Sequence, residues 1–340
     1  MTRWFAENKI DAIQSLRGIA SLAVAWSHLT ASATYSPLKF SGMYGWLGVE
    51  VFFVISGFII PYALHRSNYQ LRDFRTFFVK RLIRLEPPYL ISILIVLALF
   101  LSTIIPPWLR GEPHEAFVIR WTELALHLGY LNGYFGYNWL NGAYWTLAVE
   151  SQYYLLIGLL FPFLASDRMW LRVVNFATLG LMSSFYTSKP YIGNYIFLFL
   201  MGILTWQLRA GLVNKWGYVV VLIVLILCSY LRANLASTVA GVIAGSVIWW
   251  GDSISFLKSR ILLLLGDISY SLYLVHIPIG FHFINVYKSK VLGGVPSPMG
   301  EALMIFLAFF VSILCAYIFY KLVEQPARKA ASSIKYERRN

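Results

Sequence analysis

The chain has 340 residues, of which 59% are hydrophobic, 17% aromatic and only 13% charged, and its net charge is +13. This composition excludes an ordinary soluble domain and indicates an integral membrane protein. The excess of positive charge is explained by membrane topology and attraction to anionic lipids, so it does not indicate nucleic-acid binding. Cys228 and Cys315 both lie within apolar segments. Since the sequence contains no metal-ligand spacing, we expect no metal site.

Apolar runs of sufficient length predict an all-α fold, a polytopic transmembrane helical bundle of about ten spans. The segment from Glu123 to Tyr144 is rich in Gly, Asn and aromatic residues, so we predict a re-entrant or interfacial helix there, before span 4. No internal repeat is visible, which weakens a transporter interpretation. The predicted spans lie near 13–33, 44–64, 88–109, 145–165, 170–187, 191–210, 216–232, 234–251, 264–286 and 301–324.

The distribution of lysine and arginine predicts the orientation of the bundle. With the N-terminus inside, about three quarters of the 28 Lys and Arg residues fall on the cytoplasmic side. We therefore predict that both termini are cytoplasmic. Residues 1–330 are expected to form a single integral-membrane domain whose first apolar run is an uncleaved anchor. Residues 331–340 are expected to form a short basic cytoplasmic tail.

The first apolar run carries two ionisable residues, Arg17 and His28. They are eleven positions apart, so they share one helix face at depths that differ by about 16 Å. Arg17 should lie near one membrane surface and His28 well inside. Ionisable residues at such depth are costly and usually serve a substrate path or a reaction. The alternative is a histidine that is only hydrogen-bonded within the bundle.

Three further polar residues are predicted to lie at the level of His28. Glu50 and Glu150 enter the membrane from the outside on spans 2 and 4, and His276 reaches the middle or outer half on span 9. A buried carboxylate beside an imidazole supports general-base chemistry. We expect Glu50 or Glu150 to orient the His28 ring and prefer Glu50, because its helix is next in sequence. We expect His276 to stabilise the tetrahedral carbonyl or assist proton transfer. The alternative is a set of structural polar contacts between helices.

A second cluster is predicted at the opposite surface, where the chain reads FRTFFVKRLIRLEPPYL. Arg81 and Arg84 are three apart and share a helix face before Pro87 and Pro88, which we expect to interrupt the helix. Two guanidinium groups on one face suit phosphate oxygens. The alternative is simple positive-inside anchoring. Because Arg17 is predicted at the same surface, we favour the phosphate-binding interpretation.

Six segments taken together resemble the acyltransferase-3 family of integral-membrane O-acyltransferases over nearly the whole chain. The segments are LRGIASLAVAWSH, GVEVFFVISGFII, KRLIRLEPPY, WTLAVESQYYLL, GDISYSLYLVHIPI and KLVEQPARK. The residues that match the motifs of the family are Arg17, His28, Glu50, Ser56, Gly57, Phe58, Arg81, Arg84, Pro87, Trp145, Glu150, Ser269, Tyr270, Tyr273, His276, Glu324 and Pro326. Ser151 stands where many relatives have a second acid, so that acid cannot be essential here.

The resemblance implies an enzyme of the bacterial inner membrane that moves an acyl group, most often acetyl, from cytoplasmic acyl-CoA to a sugar hydroxyl. The expected partners are acetyl-CoA as co-substrate, an envelope, exported or lipid-linked glycan, and membrane lipid. His28, Glu50, Glu150 and His276 are the implied catalytic residues. Arg17, Arg81 and Arg84 are the implied binding residues for the CoA phosphates. Some relatives carry a further extracytoplasmic domain, and we expect a stand-alone membrane domain here.

Because the two clusters lie at different depths, we predict an apolar slot among spans 1, 2, 4 and 9 that runs from the arginines to His28. The remaining histidines, His65, His114, His127 and His282, are expected at surfaces or interfaces. Two other classes of function remain open. A proton-coupled transporter or glycan flippase would also bury histidine and glutamate. A structural membrane protein would tolerate the loss of His28.

Overall fold

The computed structural model describes residues 10–109, 120–185, 189–289 and 296–336. These residues form α-helices joined by short turns and contain no strand, in agreement with the predicted all-α fold. The helices are α1 (Asp11–Ala31), α2 (Ser36–Ser41), α3 (Leu47–Arg66), α4 (Phe74–Leu109), α5 (Trp121–His127), α6 (Trp145–Leu164), α7 (Met169–Leu181), α8 (Ile196–Arg209), α9 (Lys215–Arg232), α10 (Leu235–Trp250), α11 (Arg260–Asp267), α12 (Ser269–Tyr287), α13 (Pro298–Phe319) and α14 (Gln325–Ser333).

Every predicted span overlaps a helix, but fewer than ten of the described helical stretches are both long enough and apolar enough to be candidate membrane spans. Within the described ranges, five helical stretches are long and apolar enough to cross a membrane, or six if α11 and α12, bent by 68° at their junction, form one broken span. The five are α3, α6, α9, the stretch Leu71–Ser102 that contains most of α4, and the stretch Pro298–Ser333 that begins with α13. The count of ten spans and the re-entrant position of α5 therefore stay predictions.

Helix α1 occupies the middle of the bundle and packs against α3, α11 and α12. Two glycines on its neighbours permit the close approach. A methyl group at Gly48 of α3 would collide with the Ala20 carbonyl oxygen, and one at Gly266 of α11 would collide with the Gln14 carbonyl oxygen. Small residues allow helix backbones to approach in this way in membrane proteins. As a result, the polar face of α1 lies among the helices that carry the other predicted site residues.

Helix α4 continues through Pro87 and Pro88 as a single helix of 36 residues. The prediction that these prolines interrupt the helix is therefore wrong. Neighbouring helices compensate for prolines in membrane helices by hydrogen bonding to the backbone next to them. Pro87 and Pro88 leave the Ile83 and Arg84 carbonyl oxygens without their helical donors. The Tyr270 hydroxyl of α12 donates to the next carbonyl oxygen, that of Leu85, at 3.0 Å. The continuous helix keeps Arg81 and Arg84 in one register with the apolar part of α4.

The C-terminal segment returns to the beginning of α4. A π-helical turn, Tyr320–Glu324, follows α13 and leads into α14, which packs against α4. The Lys80 amino group donates to the Ile334 carbonyl oxygen at 2.8 Å. Within the predicted tail 331–340, residues 331–333 belong to α14, and residues 337–340 lie outside the described part of the chain.

Candidate active site

A histidine pair joins α1 and α12. The Nδ1 atom of His28 lies 2.9 Å from the Nε2 atom of His276, and the two rings are stacked with their centroids 5.1 Å apart. His276 is fully buried, with 0% of its surface exposed, whereas His28 is half-buried. The structure thus brings together the two predicted catalytic histidines, which are separated by 248 residues in the sequence.

The hydrogen bonds of His276 assign the protons on both rings. Its Nδ1 atom lies 2.9 Å from the Leu272 carbonyl oxygen, which can only accept, so Nδ1 carries the proton. In a neutral imidazole the other nitrogen is then an acceptor. His276 Nε2 therefore accepts from His28 Nδ1–H, and the neutral His28 ring has an unprotonated Nε2. No other described residue bonds to this atom, which is therefore free to take a proton.

Glu50 makes its contacts away from this pair. Its Oε1 atom accepts a hydrogen bond of 3.1 Å from the Ser237 hydroxyl of α10, and its Oε2 atom is buried without a partner among the described residues. Among the described residues, Glu50 makes no hydrogen bond to the His28 ring. His276 bonds to that ring instead. A catalytic role for Glu50 stays a prediction.

The three predicted phosphate-binding arginines line one cavity of about 340 Å³. Arg17 comes from α1, Arg81 and Arg84 come from α4, and Glu150 of α6 lines the same cavity. Glu150 Oε1 accepts hydrogen bonds from the Tyr154 hydroxyl and, at 3.4 Å, from the Ser56 hydroxyl. The structure therefore places Glu150 with the arginines. A cavity lined by several guanidinium groups is suited to an anion such as a phosphate.

A family model described as an acyltransferase domain matches residues 10–321, a range that includes the histidine pair and these three arginines. The chain belongs to the acyltransferase-3 family. It therefore contains an acyltransferase domain, and its several long apolar helices mark a multi-pass membrane protein.

Three relatives illustrate the similarity of this acyltransferase to known proteins. O-acetyltransferase OatA of Staphylococcus aureus is 26% identical over 372 residues, which cover 97% of this chain and 59% of the relative. Peptidoglycan O-acetyltransferase OatA of Listeria monocytogenes is 26% identical over 201 residues, which cover 56% of this chain and 30% of the relative. Putative acetyltransferase ORF330 of Acidianus two-tailed virus is 28% identical over 194 residues, which cover 57% and 54%. The chain thus spans less than two thirds of each relative. No solved structure shows a significant match.

The arginine cavity of this acyltransferase ends close to the histidine pair without including it. Phe52, Thr146 and Tyr273 line the cavity, whereas neither histidine does. The Tyr273 ring lies 5.9 Å from the His276 ring, centroid to centroid, and its hydroxyl is 2.7 Å from the Thr146 hydroxyl. Phe52 packs edge-on against Tyr273 at 6.1 Å. The cavity occupies the arginine end of the predicted slot, and Tyr273 connects its wall to His276. The continuation of the slot to His28 stays a prediction.

Two features of the site were not predicted from the sequence. Arg328 also lines the arginine cavity, and its only sequence signal is its place four residues after Glu324 in the last family motif. The Leu272 carbonyl oxygen, which assigns the proton on His276, leaves no signal because any residue has a carbonyl group. Among the described residues, no group of three or more His, Cys, Asp and Glu side chains could hold a metal ion.

The prediction that His127 lies at a surface or interface is wrong. Its side chain is fully buried, its Nδ1 atom lies 2.7 Å from the Glu123 carbonyl oxygen, and its Nε2 atom accepts from the Leu140 amide at 3.1 Å. This histidine therefore connects α5 to the loop that follows it through hydrogen bonds to two backbone groups. His65 and His282 are half-buried, and His114 lies outside the described residues.

Proposed function

We propose that this acyltransferase moves an acyl group, most simply acetyl, from cytoplasmic acyl-CoA to a sugar hydroxyl of an envelope, exported or lipid-linked glycan. The observation that carries the proposal is the unprotonated Nε2 of His28, held by His276. A base of this kind is what a sugar hydroxyl requires to become a nucleophile. The printed names of the OatA relatives, an O-acetyltransferase and a peptidoglycan O-acetyltransferase, support acetyl as the group and glycan as the acceptor.

The residues of the arginine cavity fit the phosphates of acyl-CoA. Arg17, Arg81 and Arg84 present guanidinium groups to one space, and guanidinium groups bind phosphate through paired hydrogen bonds. In this proposal these arginines bind the diphosphate at the cytoplasmic end of the bundle. Arg17 and His28 lie on the same helix about 16 Å apart along its axis, so the pantetheine arm would extend from the arginines towards the histidine pair.

In the proposed reaction, His28 Nε2 takes the proton of the sugar hydroxyl while the hydroxyl oxygen attacks the thioester carbonyl. The new C–O bond forms, the C–S bond breaks, and the proton on His28 passes to the departing sulfur to give the free thiol. His28 Nδ1–H stays bonded to His276 Nε2 throughout, so His276 does not have to release a proton. The alternative, in which His28 Nε2 first takes the acyl group itself, uses the same free nitrogen.

His276 acts as a positioning residue in this mechanism. Its Nδ1–H is already donated to Leu272 and its Nε2 accepts from His28, so no N–H of the ring remains to bind an oxyanion. Of the two roles considered for His276 from the sequence, support for proton transfer fits these contacts, and direct stabilisation of the tetrahedral carbonyl does not. The ring holds His28 in the tautomer that leaves Nε2 as the base.

The proposal places the protein in the bacterial inner membrane with both termini in the cytoplasm. Donor phosphates would bind at the cytoplasmic end, and the glycan would approach His28 from the other side. The half-buried state of His28, compared with the full burial of His276, leaves room for such an approach.

Purified protein incubated with acetyl-CoA and a glycan acceptor tests the proposal. We expect acceptor-dependent release of CoA thiol and acetylated glycan from the parent protein. His28→Ala should abolish both while leaving the protein inserted in the membrane, because general-base catalysis contributes about 10²- to 10⁴-fold. His282→Gln on α12, outside the site, is the matched control and should retain activity. Normal transfer by His28→Ala, or proton flux without consumption of acetyl-CoA, would contradict the proposal.

A further inference from the structure

Arg328 is a fourth arginine at the cavity that contains Arg17, Arg81 and Arg84. It lies on α14, in the C-terminal part of the helical stretch Pro298–Ser333 that begins with α13. Position 328 is thirty residues after the start of α13, which corresponds to about 45 Å of helix, whereas the hydrocarbon core is about 30 Å thick. If α13 begins at the opposite membrane surface, this length places Arg328 beyond the hydrocarbon, at the cavity that the other three arginines line.

The contacts of Arg328 orient its guanidinium group and use little of its hydrogen-bonding capacity. Its Nη1 atom lies 3.7 Å from Glu324 Oε1 and 3.8 Å from Asp267 Oδ1. These separations are long compared with about 2.7–2.9 Å for a close charge-assisted hydrogen bond. Its one hydrogen bond within the described ranges, to the Asp267 carbonyl oxygen, is also long at 3.4 Å. A guanidinium group has five N–H donors, so most of them remain available to a ligand.

Glu324 is held much more firmly than Arg328. Its Oε2 atom accepts from the Ser271 amide at 3.1 Å and from the Ser271 hydroxyl at 2.6 Å, and only 1% of its surface is exposed. The π-helical turn that ends at Glu324 brings this carboxylate into the bundle, and Arg328 follows one helical turn later. Glu324 is thus a fixed support that positions a more exposed arginine, whose side chain retains 26% exposure.

We propose that Arg328 binds the ribose 3′-phosphate of acyl-CoA, an inference that rests on the function proposed above. In acyl-CoA the diphosphate lies between the adenosine end and the thioester, while the 3′-phosphate lies at the adenosine end. Because the thioester must extend inward towards His28, the adenosine end stays near the membrane surface. Arg328, on α14 at the C-terminal end of the last helical stretch, meets this end. The arginines of α1 and α4 meet the diphosphate.

Acetyl-CoA and acetyl-dephospho-CoA, which lacks only the 3′-phosphate, provide the test. KM and kcat are measured for both donors with the parent protein, Arg328→Gln and Arg328→Lys. We expect Arg328→Gln to raise the KM for acetyl-CoA by about 10- to 100-fold, the equivalent of one charged hydrogen-bonding contact. The KM for acetyl-dephospho-CoA and both kcat values should stay unchanged. Arg328→Lys should retain the charge and the fold and show a smaller rise in KM.

Lys329→Gln is the matched control, because Lys329 is the exposed neighbour and does not line the cavity. It should leave both KM values unchanged. The inference is overturned if Arg328→Gln still discriminates between the two donors as the parent does, or if it weakens both donors equally, since a purely structural role would do so. If the parent protein consumes neither donor, the proposed function itself fails. The two failures are therefore distinguishable.

Discussion

Replacing His276 by leucine removes the acceptor that holds the His28 ring while leaving the arginine cavity intact. The hydrogen bond between the rings is 2.9 Å long, and a neutral hydrogen bond contributes about 0.5–1.5 kcal/mol. Losing that preference lets the wrong tautomer of His28 compete, at a cost of about 2- to 10-fold in rate. Misplacement of a reacting group by about 1 Å can cost about 10²-fold. We therefore expect kcat to fall by about 10- to 100-fold in His276→Leu.

The assay is the release of CoA thiol at saturating and limiting acetyl-CoA, with kcat and KM determined separately. KM for acetyl-CoA should stay near the parental value, because His276 does not line the arginine cavity. His276→Gln should recover much of the lost kcat, since its amide oxygen can accept from His28 Nδ1–H. His282→Gln on the same helix is the control. Parental kcat in His276→Leu, or equal losses in the leucine and glutamine variants, would refute the positioning role.

Two other substitutions test the remaining site residues. Arg84→Lys should raise the KM for acetyl-CoA by about 10-fold although the charge is kept, because an ammonium group cannot reproduce a two-pronged phosphate contact. An unchanged KM in this variant would favour the alternative, in which Arg84 only anchors the helix at the cytoplasmic surface. Glu50→Gln keeps a group that can bond to Ser237, so its kcat should fall less than that of His276→Leu; a larger loss would place Glu50 back in the reaction.

The positions of the helices could be predicted well from the sequence, because the length of an apolar run follows from the thickness of a membrane. The interruption predicted at Pro87 and Pro88 followed a local rule, because proline removes a backbone donor. The helix nevertheless continues, and Tyr270, 185 residues away, connects α12 to this turn through the Leu85 carbonyl oxygen. Such a contact depends on a helix that is remote in sequence, so the local pattern contained no sign of it.

Counting residues from the membrane surface predicted one level for His28, Glu50, Glu150 and His276. The structure brings His28 and His276 together and places Glu150 in the arginine cavity. Counting residues could not show that Glu50 faces Ser237 on α10 or that His276 faces His28, because the rotation of each helix about its axis is set by packing. The arginines were easier to group. Arg81 and Arg84 share a helix face by spacing alone, and the cavity lining joins Arg17 to them.

The paired rings of Phe52 and Tyr273 have a consequence for the electrical insulation of the membrane. A water-filled passage through the whole bundle would let ions run down the membrane potential, which drives each elementary charge with about 2.3 kcal/mol per 100 mV. Both rings line the arginine cavity, and their edge-to-face packing places aromatic carbon in its wall beside the hydroxyl of Tyr273. An uncharged acyl chain lies against such a wall at little cost, whereas a hydrated ion loses its water there. We therefore expect the site to transfer an acyl group without opening a path for ions.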